Sequence, residues 1–332
     1  MRVLLSGASG FFGSHLLRHL LTNTDWTFVC PCSWRHKGTP ERIEYALVGH
    51  DSNRVNVITH DLTAPFTPQT KKRLGHIDII LNIAANSHVN RSIDEPGEFI
   101  IGNTAIAYNM LELSRELRPK VFLQFSTDEV YGAAPEGVNH AEWAPIIPSN
   151  PYSASKACQE AIAISYWRTY NVPVIISNTM NVCGQTQDPE KYVAQLIRRI
   201  HSGDRVLIHG TPSNIGSRYY IHARNAADAV LFIVKNLPPK LYNNGENAMP
   251  DRYNIVGDRE FNNLELANLV ALIMNKPLDF EFLDFHSARS GHDRRYALDG
   301  AKLRNLGWKS PVDFETSLRK TIEWTLRNKQ WL

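Results

Sequence analysis

Cysteine, net charge and long apolar runs are all scarce in this chain of 332 residues. Its four cysteines, Cys30, Cys32, Cys158 and Cys183, are too few and too irregularly spaced for a disulfide framework. Cys30-Pro31-Cys32 has no second Cys/His pair at a matching spacing. Reduced thiols in a cytoplasmic protein are therefore expected, and no metal site. Lys and Arg number 36 against 33 Asp and Glu, a formal charge of +3, and the basic residues are scattered. No nucleic-acid partner is expected from such a balance. No apolar run reaches the ~18 residues of a membrane span. The apolar residues 2–5 stop at Ser6-Gly7, too soon for a secretory signal, so no membrane partner is expected.

What is present is ordinary globular material: 43% hydrophobic and 21% charged residues, enough for a sizeable core. The first half alternates. Apolar strands are predicted at 3–5, 26–30, 55–59, 77–83, 121–125 and 172–177. Helices are predicted at 11–21, 100–117 and 151–170, the last with Pro151 suited to a first helical position. Strand–helix alternation of this kind predicts an α/β protein with a doubly wound parallel Rossmann sheet. Beyond residue 180 the pattern loosens. Helices at 192–201, 226–235, 262–274 and 316–327 alternate with short strands at 206–209, 253–256 and 278–282, and 237–250 reads as a surface loop. The expected layout is a dinucleotide-binding domain over 1–180, with 223–258 returning to it. A smaller mixed substrate-binding portion would comprise 181–222 and 259–332.

Gly7, Gly10 and Gly13 fall between the first strand and the first helix. Glycines there allow a tight turn, close approach of backbone to a pyrophosphate and tight helix packing, with the helix N-terminus facing the phosphates. Phe11 and Phe12 sit in the same turn. The second strand runs into Cys32-Ser33-Trp34-Arg35-His36-Lys37, with no carboxylate. An acid there would bind ribose hydroxyls, and a basic residue a 2′-phosphate. Ser33 and Arg35 thus lean the expectation to NADP over NAD, and replacing Arg35 should weaken NADP more. After the third strand, Asp61 is placed either to bond the adenine amine or to cap a turn, beside Leu62.

The most informative stretch is Ser126-Thr127-Asp128-Glu129-Val130-Tyr131-Gly132. A strand ending in a hydroxyl and two adjacent acids puts an acid–base pair at the sheet rim, where ligands bind in open α/β sheets. Consecutive strand residues face opposite ways, so the chain must turn at 127–129 for both acids to point inward. Tyr152 and Lys156 follow at i and i+4, on one helix face. A neighbouring ammonium favours phenolate, so Lys156 is expected to lower the pKa of Tyr152 and make it a usable base.

With these residues the chain resembles the extended short-chain dehydrogenase/reductases, on Gly7-x-x-Gly10-x-x-Gly13 and Tyr152-x-x-x-Lys156. Thr127-Asp128-Glu129 is similar to the nucleotide-sugar 4,6-dehydratases, and most to those acting on dTDP-glucose. Asn82-Ile-Ala-Ala-Asn-Ser-His-Val-Asn-Arg-Ser92 resembles that family's H-L-A-A-E-S-H-V-D-R-S. Ser149-Asn-Pro-Tyr-Ser-Ala-Ser-Lys156 resembles its S-P-Y-S-A-S-K, and Gly291-His-Asp-Arg-Arg-Tyr-Ala297 repeats its G-H-D-R-R-Y-A. The resemblance spans nearly the whole chain.

It implies a cycle on a nucleotide-diphosphate sugar with a tightly bound, internally recycled NAD or NADP. Tyr152 would take the C4 hydroxyl proton while hydride leaves C4, with Lys156 on the nicotinamide ribose and Thr127 on the C4 oxygen. Glu129 would remove the C5 proton, Asp128 would protonate the departing C6 hydroxyl, and hydride would return to C6 and a proton to C5. Ala84 would line the cofactor site. Asn86, Ser87, Asn181, Lys191, Arg218, His222, Arg289 and His292 would bind substrate, and a homodimer is implied. This chain departs from the family at Asn86 (Glu), at Cys183-Gly184-Gln185 (Y-G-P), at Arg218-Tyr-Tyr-Ile-His222 (R-D-W-L-Y) and at Arg224-Asn225. A UDP-, GDP- or CDP-linked sugar, an epimerase, or a non-catalytic cofactor-sensing protein are the alternatives.

Overall fold

The computed structural model describes residues 1–283 and 293–332. Six strands come first: β1 (Arg2–Ser6), β2 (Thr27–Cys32), β3 (Val55–Thr59), β4 (Ile79–Asn82), β5 (Val121–Thr127) and β6 (Val174–Thr179). Then follow β7 (Asn181–Cys183), β8 (Val206–Thr211), β9 (Asn214–Ile215), β10 (Ser217–His222) and β11 (Asp251–Ile255). The main sheet has seven strands in the order β11-β6-β5-β4-β1-β2-β3, and every pairing is parallel. The order reverses between β1 and β4. Such a switch point opens a crevice at the carboxyl ends of the strands.

Apart from the edge strand β3, which is only partly covered, each strand is buried on both faces, and its period of two divides it between two cores. Val3, Leu5, Phe28, Leu81, Leu123 and Ile175 face α1 (Phe11–Asn23) and the helix Ala223–Asn236, through Leu16, Leu17, Leu20, Val230 and Ile233. Leu4, Val29, Ile80, Phe122, Val174 and Ile176 face the other way, onto Met110, Leu111, Ala163 and Trp167. Replacing a fully buried residue such as Leu123 by Ala would cost about 2–5 kcal/mol.

Three short helices escape the hydrophobic period because they are short and largely polar: α2 (Pro40–Leu47), α3 (Pro68–Leu74) and α4 (Val89–Asp94). The next, α5 (Pro96–Leu117), starts earlier than its apolar pattern suggests because Pro96 presets the first turn. α6 (Pro151–Tyr170) begins with a capping box. Asn150 accepts from the Ser153 amide, and the Ser153 hydroxyl accepts from the Asn150 amide.

After β6 the chain leaves the main sheet. β7 runs parallel to β10, which also pairs antiparallel with β12 (Glu260–Asn262) and parallel with β14 (Arg295–Tyr296). Between these last two in sequence lies β13 (Phe280–Leu283), which joins β8 and β9 in a three-stranded sheet. Val193, Ile197, Leu266, Val270, Leu318 and Ile322 build a separate core there. Val130, Tyr131 and Met180 meet Tyr296 and Leu298 at the junction of the two parts.

Candidate active site

The loop after β1 is built by backbone. Gly7 has φ +73°, and a Cβ on it would lie 2.9 Å from the Ala84 nitrogen. A Cβ on Gly13 would lie 1.9 Å from the Gly7 carbonyl oxygen, so the first turn of α1 rests directly on the loop. Gly10 caps α1 without a side-chain bond, which leaves the first-turn N–H groups free for an anion. The cleft beside this turn measures about 290 Å³. Gly7, Gly10, Phe11, Phe12, Gly13, Ser33, Arg35, Asp61, Leu62, Ala84, Asn86, Ser87, Tyr152, Lys156 and Lys191 all line it. A glycine cradle that a Cβ would fill, an uncapped helix start and a switch-point crevice together fit a dinucleotide.

A buried polar chain crosses the sheet edge beneath the cleft. The Ser6 hydroxyl accepts from the Ile83 and Ala84 amides and donates to Asn82 Oδ1 at 2.9 Å. Asn82 Nδ2 donates to Gln124 Oε1 (2.9 Å), and Gln124 Nε2 to Gln159 Oε1 (3.1 Å). Lys156 Nζ ends the chain, donating to Gln159 Oε1 and the Phe125 carbonyl, both at 2.7 Å. All four uncharged side chains are fully buried and bonded, as a low-dielectric site demands.

The basic turn after β2 does not stand free. Arg35 Nη1 meets Asp61 Oδ2 at 2.5 Å. His36 Nε2 meets Glu98 Oε1 at 3.0 Å, and Lys37 Nζ meets Glu190 Oε1 at 3.0 Å. Asp61 Oδ1 accepts from the Thr63 amide and hydroxyl, so this residue caps its own turn. Asp188, Glu190, His88 and Arg91 also line the cleft; His88 and Arg91 stand inside the family-like stretch Asn82–Ser92, while nothing in the local sequence marks Asp188 or Glu190.

At the other end β5 stops at Thr127, and Asp128–Tyr131 forms a tight helical turn. The turn required for two inward acids is therefore made at Asp128. Thr127 Oγ1 donates to Asp128 Oδ1 at 2.9 Å, while buried Asp128 Oδ2 has no partner among the described residues. Burial, aided by the charge of Glu129, pushes the Asp128 carboxyl up to about 7. Burial also raises Glu129, with a bond from Asn150 Nδ2 (3.3 Å) pulling the other way. Asn150 was not foreseen; its only signal is its place just before Pro151-Tyr152. It caps α6 and holds an acid at once.

The expectation for the Tyr–Lys pair needs correction. Burial and the charges of Glu129 and Asp128 raise the Tyr152 phenol well above its ordinary value, despite a hydrogen bond with Thr127. Burial lowers Lys156 to about 8, and its bonds run to Gln159 and a carbonyl. Burial first, and then the two neighbouring acids, set the phenol, rather than the lysine.

Among the expected substrate residues, Lys191 Nζ donates to the Ser87 carbonyl at 3.0 Å, and the Asn86 amide donates to Asn103 Oδ1. Asn181 has a buried Nδ2 without a partner among the described residues. Arg218 is not an open clamp: its guanidinium donates to the Ser217, Asp293 and Arg294 carbonyls and lies 4.5 Å over the Tyr296 ring. His222 is a correction. It lies buried beside His15 and Gln185, outside the cleft lining, and its Nδ1 accepts from the Arg224 amide to cap the following helix. Burial drives its pKa well down. Arg289 and His292 lie outside the described residues. Of the motif that contains His292, Asp293 accepts from Ser149 (2.6 Å) and Arg295 pairs with Glu260 (2.7 Å). The Ser149–Asp293 bond ties the smaller portion to the rim that carries the acids, while the Arg295–Glu260 pair lies within that portion.

A family model described as the NAD dependent epimerase/dehydratase family matches residues 3–245. The chain belongs to that family. It is 32% identical over 356 residues to the dTDP-glucose 4,6-dehydratase of Salmonella typhimurium, a match covering all of this chain and 94% of that one. Among solved structures, the dTDP-glucose 4,6-dehydratase of Streptomyces venezuelae with NAD bound superposes at a TM-score of 0.86. It is 28% identical, over all of this chain and 98% of that chain. The UDP-glucuronic acid 4-epimerase of Bacillus cereus also superposes at 0.86, with 21% identity over 99% of this chain and all of that chain, which speaks for the fold alone. The fold is thus shared by dehydratases and epimerases, and the choice between them falls to the site.

Proposed function

We propose that this protein is a nucleotide-sugar 4,6-dehydratase. It would convert an NDP-glucose, on our reading dTDP-glucose, to the NDP-4-keto-6-deoxy sugar. One observation carries the reading: two adjacent carboxyls, buried Asp128 and half-buried Glu129, act by their charges on the Tyr152 phenol, with Asp128 raised to about 7. An epimerase needs no such pair. An elimination needs a proton removed and a proton delivered on one face, and carboxyls with separated pKa values divide that work.

Tyr152 takes the proton of the C4 hydroxyl as phenolate, a form that burial and the two acids disfavour in the unliganded site and that a bound nicotinamide cation would favour, and Thr127 holds the C4 oxygen. Glu129, ionised, removes the C5 proton, which a 4-keto group acidifies. Asp128, protonated, delivers its proton to the C6 hydroxyl, which leaves as water. A bound nicotinamide dinucleotide would supply the hydride chemistry that oxidises C4 and reduces C6, and Glu129 gives its proton back to C5 as C6 is reduced. Gly7, Gly10 and Gly13 would hold its pyrophosphate and Lys156 its ribose. We read the dinucleotide as NAD. The earlier lean to NADP gains no support, since Arg35 is engaged by Asp61 and the family is described as NAD dependent. Residues 1–180 and 223–258 would form the dinucleotide unit, and 181–222 with 259–332 the sugar-nucleotide portion. Exposed Ile93, Ile100, Ile101 and Tyr108 on α4 and α5 support a homodimer.

The test is incubation of the purified protein with glucose linked to dTDP, UDP, CDP or GDP. A 4-keto product lacking one water, formed without added dinucleotide and fastest from dTDP-glucose, is expected. A product of unchanged mass with inverted C4 would replace the reading by epimerisation.

A further inference from the structure

The three basic side chains after β2 are each met by a carboxylate from a different part of the chain. Asp61 comes from the end of β3, Glu98 from α5 and Glu190 from the stretch before the helix Tyr192–Ser202. In a sheet of this order the end of β2 receives the adenosine ribose. An acid there bonds its 2′-hydroxyl, and an arginine accommodates a 2′-phosphate. Here both types are present, on neighbouring strands and bonded to each other: Arg35 after β2, Asp61 after β3. Both side chains line the cleft.

We propose that Asp61, by pairing with Arg35, is the residue that makes this site choose a dinucleotide with a free 2′-hydroxyl over one with a 2′-phosphate. The proposal rests on the dinucleotide reading above. A 2′-phosphate would bring a charge of roughly −1.5 to −2 beside a carboxylate, and it would compete for a guanidinium already in use. Glu190 holds Lys37 and Glu98 holds His36, so neither neighbour stands free to take over. The pair is partly exposed, with Arg35 61% and Asp61 35% accessible, so solvent limits the effect to a moderate factor.

Asp61→Asn tests this cleanly. The amide oxygen still accepts from the Thr63 amide and hydroxyl, so the turn survives while the charge goes. Binding of NAD and of NADP is measured by titration calorimetry on protein freed of its dinucleotide, for the parent, Asp61→Asn, Arg35→Ala and the double variant. The parent prefers NAD. Asp61→Asn shifts the ratio of the two dissociation constants toward NADP by about five- to tenfold, and the double variant abolishes that gain. An unchanged ratio in Asp61→Asn, a gain that persists without Arg35, or a parent that already prefers NADP overturns the proposal. A parent that binds neither dinucleotide overturns the reading beneath it, a distinct result.

Discussion

The glycine turn and the acid pair lie on one edge of one sheet, yet they are made by opposite means. Around Gly7–Gly13 the working groups are main-chain N–H donors, and Gly13 carries no side chain because a Cβ on it would strike the Gly7 carbonyl at 1.9 Å. At Thr127–Glu129 the working groups are side chains. Their chemistry comes from desolvation, which lifts Asp128 to about 7 and Glu129 above its ordinary value. The first region binds through geometry that any chemistry can reuse. The second sets protonation states, and it is there that a fold shared with epimerases is specialised.

Glu129→Gln is the sharpest cut between the two. It removes the proposed base, keeps the side-chain shape and leaves the turn alone. Turnover should fall by about 10²–10⁴-fold, with full retention of bound dinucleotide measured after denaturation. Comparable loss of both would mean that the acid end also builds the cofactor site.

The pH dependence belongs to the same end. Asp128 must be protonated to act as acid, so turnover should fall as pH rises through about 7, and fall again on the acid side as Glu129 takes up a proton. Stability carries the same sign for Asp128. A carboxyl whose folded pKa is raised is favoured in the folded state while protonated. Its contribution is complete below the ordinary carboxylate range and is lost as pH rises through about 7. Asp128→Asn should flatten melting temperature against pH over that window. An equal slope in the variant would mean that Asp128 does not titrate there.

Gly13→Ala probes the other region. The overlap with the Gly7 carbonyl must be relieved by moving backbone, at about 1–3 kcal/mol. Loss of bound dinucleotide should come with a modest drop in melting temperature. Gly10→Ala, whose Cβ would sit 3.2 Å from the same oxygen, should do less. Equal effects from the two would undo the claim that close approach at Gly13 shapes the turn.

The two regions also differ in how far the sequence reveals them. The parallel sheet was legible because its strands are doubly buried apolar runs such as Ile79–Leu81, and the glycine spacing sits where strand meets helix. Thr127–Glu129 and Tyr152-x-x-x-Lys156 were legible as residue types at set intervals. Their surroundings were not. Gln124 and Gln159 read as ordinary polar residues, and only folding brings them under Lys156. Arg35 read as a free cation because Asp61 is 26 residues away. His222 read as a ligand because a residue type carries no record of burial, and in place it caps a helix from the core. β10 was missed since Arg218-Tyr219-Tyr220 has no clear alternation and takes its partners from distant segments.

The smallest effect falls on the residue that joins the acid end to the helix bearing Tyr152. Asn150 accepts from the Ser153 amide to start α6 and donates to Glu129 at 3.3 Å. Loss of an asparagine cap costs about 0.5–2 kcal/mol, so Asn150→Ala should lower melting temperature slightly. Asn150→Asp separates the two jobs. It still accepts from Ser153, and it sets a negative charge against Glu129 in place of a donor. If the cap alone matters, the aspartate variant keeps parental turnover and stability. If the contact to Glu129 matters, the variant stays folded while the acidic limb of its pH–rate profile moves up, because a second carboxylate makes Glu129 harder to ionise.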